Sequence, residues 1–328
     1  MRIAVVGAGA IGCLLAARLP ESETVTLIAR RPEAAAAIRD DGIEMTDPAG
    51  RTLNRTVAAT DDPLSVGRQD AVILCVKAHA LPGVIGTLSQ IAGPETLVVP
   101  MVNGIPWWYP QGAGGPLAGR RLVSLDPEGA LTGTIPAERI VGAVTYVAVE
   151  NRGPGRIRHV NNQVFKFGDP TGENPGAARA IAGIFRAGGF AAEAVDDIRS
   201  HIWTKLWGNL AFNPISVLTG AGLEAIATDP GTRGVSAKMM EEARRVAERL
   251  GVRFAMSIDE RIAESAAIGD FKTSMLQDFL AGKRLELDAI VGAVIELAGI
   301  VGVAVPTLET VRALTDLRGR TRGNRKGG

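Results

Sequence analysis

Hydrophobic positions in the first part of the chain alternate between two spacings. Short unbroken apolar runs are typical of strands buried on both faces of a parallel sheet, and the stretches between them show helical spacing. The runs lie at residues 2–6, 24–29, 71–76 and 96–101. The helical stretches include residues 10–19 and 32–39, and a third lies between the last two runs. This alternation predicts a doubly wound α/β domain with a parallel sheet.

Two parts of this region depart from the alternation. Residues 41–62 are polar and contain a turn rich in Asp, Pro and Gly, which predicts an inserted hairpin. Further along, two strands are predicted around a turn that is rich in glycine and proline, and a helix and a strand follow them. These four elements are predicted at residues 140–149, 156–167, 177–187 and 190–195.

Strand signals nearly vanish after Asp197. Beyond it, apolar residues recur at helical spacing, which predicts an all-helical second domain. The predicted helices span residues 198–218, 232–250, 258–267, 285–297 and 308–317. The predicted domains are therefore residues 1–196 and 197–317, and the basic residues 318–328 are expected to form a disordered tail.

Composition narrows the function classes. The 328 residues exceed one ordinary domain, and a hydrophobic fraction of 46% is enough for substantial cores. A net charge of +1 provides no overall field for nucleic acid or an anionic membrane, so neither is predicted as a partner. Two cysteines build neither a disulfide framework nor a zinc site, and the three histidines have no metal-ligand spacing. We therefore expect a cytoplasmic protein without a metal.

A glycine motif follows the first apolar run. The consecutive residues Gly7, Ala8, Gly9, Ala10, Ile11 and Gly12 fit the pattern G-x-G-x-x-G at the start of a helix. In this pattern the first glycine makes a tight turn, the second lets the backbone approach a pyrophosphate, and the third lets helix and strand pack closely. The motif predicts a dinucleotide-binding Rossmann domain. It also argues against interpreting the apolar N-terminal run as a secretory signal.

The end of the second strand indicates which dinucleotide is bound. An NAD enzyme has Asp or Glu there, which accepts hydrogen bonds from the ribose 2′-hydroxyl. This chain has Arg30 and Arg31 instead. A guanidinium can bind a 2′-phosphate through two parallel hydrogen bonds, whereas a carboxylate would repel it. Arg30 therefore predicts NADP(H) as the cofactor, and a pair of solvated surface charges is the alternative.

Three polar residues recur every fourth position in an otherwise apolar helix. Lys205, Asn209 and Asn213 lie along one face of the helix predicted at residues 198–218. Amides and a lysine are unfavourable in such a helix unless they face a polar cavity or are satisfied in an interface. The row on its own is compatible with either arrangement. Pro214 follows it and is expected to bend the helix or free a carbonyl.

Taken in order, these motifs resemble the ketopantoate reductase (2-dehydropantoate 2-reductase) family, within the 6-phosphogluconate-dehydrogenase-like superfamily. The resemblance covers nearly the whole chain. Besides the glycines and Arg30 it rests on Val76-Lys77-Ala78, Asn103-Gly104, Trp203-x-Lys205-Leu206, Asn209-x-x-x-Asn213-Pro214, Ser274-Met275-Leu276-Gln277-Asp278 and Glu286. It implies an α/β Rossmann domain with a doubly wound parallel sheet, followed by an all-helical C-terminal domain.

The resemblance also implies roles for individual residues. Lys205 matches the family's catalytic lysine, and Glu286 matches its active-site glutamate. From the residues alone, Glu260, Glu264 and Asp288 would be equally good carboxylates. The family's substrate-binding polar residues match Asn103, Asn209, Asn213 and Ser274. From the residues alone, Ser274 would be an ordinary helix start ahead of Met275. Lys77 matches a lysine near the cofactor and the substrate, and Asn103 is expected near the cofactor as well.

The implied activity is the NADPH-dependent reduction of a small 2-keto acid, with 2-dehydropantoate reduced to pantoate in pantothenate biosynthesis. A lysine ammonium suits this chemistry because it stabilises the oxyanion and supplies a proton. A reductase of a bulkier 2-keto acid and a non-catalytic redox sensor are the alternatives. The departures from the family are Trp107, Trp108 and Tyr109, whose rings either line an acyl pocket or pack an interface, and a loop at residues 219–223 without an amide. A homodimer is also compatible with the predicted all-helical second domain, because such domains often supply a dimer surface.

Overall fold

The structure is a computed structural model, which describes the backbone of residues 1–324 and the side chains of residues 1–321. The chain divides into two compact units. The first comprises Met1–Val102 and Gly129–Ile198, and the second comprises Asn103–Glu128 and Arg199–Gly328. The predicted assignment of residues 1–196 to one domain is therefore wrong for the segment 103–128, which packs within the second unit.

Long-range hydrogen bonds explain why this segment belongs to the second unit. The Ile105 N–H donates to the carbonyl oxygen of Ala289 at 2.8 Å. The Glu296 carboxylate accepts hydrogen bonds from the N–H groups of Val123 and Ser124, at 2.7 and 2.9 Å. Both of these partners lie more than 170 positions from Glu296 in the chain. Local sequence patterns carry no signal for contacts over such distances.

The first unit is built around a parallel five-stranded sheet, as the apolar runs predict. The strands of the unit are β1 (Arg2–Val6), β2 (Thr24–Ile28), β3 (Ile43–Thr46), β4 (Thr52–Arg55), β5 (Ala58–Thr60), β6 (Gln69–Leu74), β7 (Ala92–Pro100), β8 (Gly142–Gly153), β9 (Arg156–Gly168) and β10 (Ala191–Ala194). The sheet has the order β5-β2-β1-β6-β7, and all its neighbouring strands run parallel. The central strand β1 is buried along its apolar run, which confirms the predicted doubly wound class.

The remaining strands form a second sheet, which takes up the inserted hairpin. Its order is β10-β9-β3-β4, with β8 paired to β9. The hairpin β3–β4 is antiparallel, and β3 runs parallel to β9. The predicted hairpin is thus confirmed for its central part only, because β5 leaves it and pairs with β2 at the edge of the first sheet. A strand of three residues is too short to show a hydrophobic period.

The helices divide between the two units. The first unit contains α1 (Ala10–Arg18), α2 (Pro32–Asp41), α3 (Ile85–Ile91), α4 (Ala130–Thr134) and α5 (Pro175–Ala187). Helix α6 (Ile198–Thr219) leads into the second unit, which also contains α7 (Leu223–Thr228), α8 (Pro230–Arg249), α9 (Ile258–Ala266), α10 (Ser274–Leu280), α11 (Ala293–Val301) and α12 (Pro306–Asn324). The second unit contains no strand within residues 103–128 and 199–324. Over residues 1–324, no helix is long and apolar enough to cross a membrane.

The helix predictions differ from the structure in two respects. The helix predicted at residues 285–297 begins only at Leu287, passes through a π-helical turn at Asp288–Gly292 and continues as α11 to Val301. The short helix α7 was not predicted, and of α10 only a start at Ser274 was considered, because six or seven residues barely span two turns of hydrophobic spacing.

The predicted disordered tail is wrong for its first part. Helix α12 continues through Arg318 to Asn324. The Arg318 guanidinium donates to the Val217 carbonyl at 3.1 Å and lies 5.5 Å from the centre of the Phe279 ring. These contacts give the basic residue a packing role, which composition alone does not reveal. Residues 325–328 of the predicted tail lie outside the described residues.

Candidate active site

Three adjacent strands of the first sheet end at the same edge, and each is followed by part of the predicted cofactor site. Residues 7–12 follow β1, Arg30 follows β2 and Lys77 follows β6. Because these strands are neighbours and run parallel, all three segments lie along the carboxyl edge of the sheet. Open α/β sheets bind their ligands at this edge.

The glycine turn has a geometry that fits a dinucleotide phosphate. Gly7 has a φ of 113°, and a Cβ at Gly12 would overlap the Gly7 carbonyl oxygen. These two positions therefore need glycine so that α1 can pack against the turn. A Cβ at Gly9, in contrast, would meet nothing within 4 Å. Gly9 caps α1 without a side-chain hydrogen bond, which leaves the first N–H groups of the helix for an anion.

The two arginines after β2 differ in their surroundings. Both are exposed, and Arg31 forms an ion pair with Glu33 at 3.6 Å. Among the residues that the structure describes, Arg30 has no ion-pair partner, so its guanidinium is accessible to an anion. Lys77 is half-buried and immediately precedes a 3₁₀ turn at Ala78–Val84.

In the second unit, the structure brings together three of the predicted residues around one ammonium group. Lys205 lies on α6, and its Nζ donates a hydrogen bond to Asn103 Oδ1 at 2.7 Å. Glu286 is buried just before the π-helical turn, and its negative charge acts on Lys205. The cluster therefore joins residues that are far apart in the chain and that come from three separate elements.

Burial controls the protonation of this lysine. It lowers the pKa of Lys205 from 10.5 to about 8, whereas the charge of Glu286 acts in the opposite direction. The ammonium group is therefore charged near neutral pH and can release its proton in mildly basic solution. A group that titrates close to the working pH is well suited to general acid catalysis.

The predicted substrate-binding residues on α6 and α10 are also in the second unit. Asn209 is half-buried, and Asn213 is only 4% exposed. Within the described residues, the Asn213 side-chain nitrogen is buried and has no hydrogen-bond partner. A buried amide with unused donors is unfavourable, so this position suits a polar ligand group or a water molecule. Ser274 is the first residue of α10 and is exposed.

The turn that carries Asn103 packs directly on the π-helical turn. Gly104 has a φ of 87°, and a Cβ there would overlap the backbone of Ala289. The next residue, Ile105, donates its N–H to Ala289, as described above. π-Helical turns are rare and occur frequently at functional sites. Here the π-helical turn, which follows Glu286, contacts the residues that directly follow Asn103.

The aromatic segment after Asn103 is part of the packed core. Trp107, Trp108 and Tyr109 are each 1% exposed. The Tyr109 hydroxyl accepts a hydrogen bond from Trp203 Nε1 at 2.7 Å, and the two rings meet edge to face. Arg199 lies over the Tyr109 ring and donates to its carbonyl at 3.1 Å. Of the two predicted roles, this burial favours packing over an acyl pocket.

Sequence reasoning missed the residues that connect the elements of the site. Ala289 contributes only a backbone carbonyl, which leaves no trace in residue type. Ser216 and Thr273 are buried hydroxyl residues that contact each other across α6 and the start of α10. The one available signal was Pro214, which lacks an N–H group and so marks the place on α6 where the backbone hydrogen bonding is interrupted.

Models of one protein family match both parts of the chain. Residues 3–172 match "Ketopantoate reductase PanE/ApbA", and residues 197–318 match "Ketopantoate reductase PanE/ApbA C terminal". The chain is 44% identical to the 2-dehydropantoate 2-reductase of Mesorhizobium japonicum over 315 residues, which cover 96% of each protein.

Solved structures show the same relationship. A Ralstonia solanacearum protein whose crystal structure was assigned to the ketopantoate reductases is similar with a TM-score of 0.91 and 38% identity, over 98% of each chain. A ternary structure of D-mandelate dehydrogenase with NADH and anilino(oxo)acetate gives a TM-score of 0.84 at 21% identity, over 98% of this chain and 99% of that one. The second likeness shows a shared fold. The protein thus belongs to the ketopantoate reductase family of pyridine nucleotide-dependent oxidoreductases.

Proposed function

We propose that the protein reduces 2-dehydropantoate to pantoate with NADPH, a step of pantothenate biosynthesis. The observation that carries this proposal is the Lys205 ammonium group, which donates to Asn103 and is held near the buried carboxylate of Glu286. The 44% identity to a protein named 2-dehydropantoate 2-reductase supports the choice of substrate.

In the proposed mechanism, the residues of the second unit manage charge and a proton. When it is bound, the nicotinamide supplies a hydride to the ketone carbon of the substrate. Lys205 stabilises the negative charge that develops on the ketone oxygen and donates the proton that completes the alcohol. Asn103 orients the ammonium group through its hydrogen bond, and Glu286 favours the charged form of the lysine. Asn209, Asn213 and Ser274 are proposed to bind the carboxylate and hydroxyl groups of the substrate.

The proposed cofactor is NADPH rather than NADH. Residues 7–12 would hold the pyrophosphate, because the open space at Gly9 and the uncapped start of α1 fit an anion. Arg30 would bind the 2′-phosphate, since its exposed guanidinium lies at the end of β2 and has no ion-pair partner among the described residues. Lys77 lies at the same edge of the sheet and is proposed to lie near the cofactor.

A substrate panel tests the proposed function. We expect 2-dehydropantoate to exceed 2-ketoisovalerate, which lacks the hydroxymethyl group, by at least about tenfold in kcat/KM, because a site built to bind a hydroxyl leaves its own polar groups unpaired with the shorter acid. The loss of NADPH absorbance measures both rates. The panel also includes an aryl 2-keto acid, because a structure of D-mandelate dehydrogenase with anilino(oxo)acetate has the same fold. A clear preference for the aryl acid would contradict the pantoate assignment and leave the reductase chemistry intact.

The pH dependence of the reaction should follow the titration of Lys205. Since burial brings the pKa of this lysine down to about 8, we expect the reduction rate to be constant near neutral pH and to fall as the pH rises through about 8. The reverse oxidation needs the neutral amine as a base, so its rate should rise over the same range. Rates in both directions, measured from pH 6 to 10 at saturating substrates, check this. A forward rate that stays flat to pH 10 would exclude Lys205 as the titrating acid.

The proposed location of the enzyme is the cytoplasm. Cys13 and Cys75 are both free thiols, and burial raises the pKa of each, which keeps the reactive thiolate form scarce. Such unpaired thiols are typical of reducing compartments. The homodimer stays a prediction.

A further inference from the structure

Two buried hydroxyl groups connect the helix that carries Asn213 with the helix that begins at Ser274. Ser216 on α6 is fully buried. Thr273 caps the N-terminus of α10, and only 4% of its surface is exposed. Their side-chain oxygens are 2.6 Å apart. Ser216 Oγ is also 2.7 Å from the backbone carbonyl oxygen of Asn213.

The direction of each hydrogen bond follows from the number of protons available. The Asn213 carbonyl can only accept, so the single hydroxyl proton of Ser216 is donated to it. The Thr273 hydroxyl must then donate to Ser216, and Thr273 Oγ1 accepts from the Leu276 N–H at 3.1 Å. The result is a continuous chain of hydrogen bonds from the backbone of α10 to the backbone of α6.

This hydroxyl chain lies where α6 is weakened. Pro214 follows Asn213 inside the helix and has no N–H group to donate to the preceding turn. Ser216 supplies an additional hydrogen bond to the Asn213 carbonyl at this place. The hydroxyl chain therefore restrains the backbone that carries the Asn213 amide.

Both ends of the hydroxyl chain adjoin residues that are proposed to bind the substrate. At one end, the Asn213 side-chain nitrogen is buried and has no partner among the described residues. At the other end, Ser274 directly follows Thr273 and is exposed. We propose that Ser216 is a positioning residue, which fixes the separation between the Asn213 amide and the Ser274 hydroxyl and so sets the affinity for the 2-keto acid. The inference rests on the proposed function of these two residues.

The test is the Ser216→Ala variant, with KM and kcat measured separately. We expect the KM for 2-dehydropantoate to rise about tenfold, because Asn213 and Ser274 contact parts of the substrate whose charge does not change during the reaction. The kcat should stay within about twofold, and the KM for NADPH should not change. A purely structural role would instead reduce the amount of active enzyme, which lowers the apparent kcat and leaves KM unchanged.

Two further variants separate positioning from folding. Ser265→Ala is the matched control, because Ser265 is equally buried but donates only to Arg261 within its own helix α9. Its KM should match the parent. Thr273→Ser retains the hydroxyl and should behave like the parent, whereas Thr273→Val should raise KM as Ser216→Ala does. If Ser216→Ala fails to fold, the comparison of Thr273→Ser with Thr273→Val tests the same hydrogen bond.

A double-mutant cycle tests whether Ser216 acts through Asn213. In an Asn213→Ala background, Ser216→Ala should have little further effect on KM, since the amide that it positions is gone. The inference is overturned if folded Ser216→Ala retains the parent KM, or if the two substitutions multiply as independent effects. The panel of 2-keto acids on the parent enzyme tests the proposed function separately, and the cycle is run with whichever acid the parent accepts.

Discussion

Replacement of Lys205 by alanine should lower kcat by about 10²- to 10⁴-fold, because the variant lacks the group that we propose as the proton donor and as the positive charge beside the developing alkoxide. The ammonium donates to Asn103 at 2.7 Å and lies under the influence of Glu286, and a water molecule that replaced it would not carry its positive charge. Its charge matters most when the oxyanion forms, and the KM for NADPH should therefore change little.

The control for this variant is Lys238→Ala, which removes an exposed lysine from α8 and should retain the parent rate. The comparison of kcat values is informative only if the chemical step limits turnover. A primary isotope effect with deuterated NADPH establishes this. If the Lys205→Ala variant retained a near-normal kcat under that condition, another group would have to donate the proton. Lys77, at the carboxyl edge of the first sheet, would be the next candidate.

The second large effect is expected from Arg30→Ala, on the cofactor alone. Loss of a guanidinium–phosphate contact weakens binding by about 1.5–3 kcal/mol, so the KM for NADPH should rise roughly 10- to 150-fold. The KM for NADH, which has no 2′-phosphate, should hardly change. Initial rates measured at varied concentrations of each dinucleotide give the ratio of the two KM values.

The adjacent Arg31 provides a matched control. It has the same side chain and similar exposure, but its guanidinium is paired with Glu33 at 3.6 Å. Arg31→Ala should therefore have a much smaller effect on the KM for NADPH. Equal use of NADH and NADPH by the parent enzyme would refute the assignment of a 2′-phosphate site to Arg30.

Local sequence patterns predicted the features that depend only on residues close together in the chain. A strand buried on both faces is rich in consecutive apolar residues, so β1 and the buried C-terminal parts of β2, β6 and β7 could be read from the sequence. The four-residue spacing of Lys205, Asn209 and Asn213 likewise follows from helix geometry. The sequence pattern was therefore sufficient for the fold class and for placing these three residues on one face of a helix, whereas only the family resemblance assigned them to a site.

Features that depend on distant residues could not be predicted in this way. Nothing in the residue types selects Glu286 over other carboxylates, and only the family resemblance identified it. The π-helical turn shifts hydrogen bonds by one residue and leaves the apolar spacing of residues 285–297 nearly intact. Likewise, the contact between Ser216 and Thr273 joins positions 57 residues apart.

The chain passes from one unit to the other three times, after residues 102, 128 and 198. A single cut therefore cannot separate the units as intact pieces. A gene fragment that begins at residue 199 would encode all of α7–α12 but would lack Trp107, Trp108 and Tyr109, three of the largest fully buried side chains. An exchange of the helical unit between relatives, by recombination or in protein engineering, must therefore transfer residues 103–128 with it.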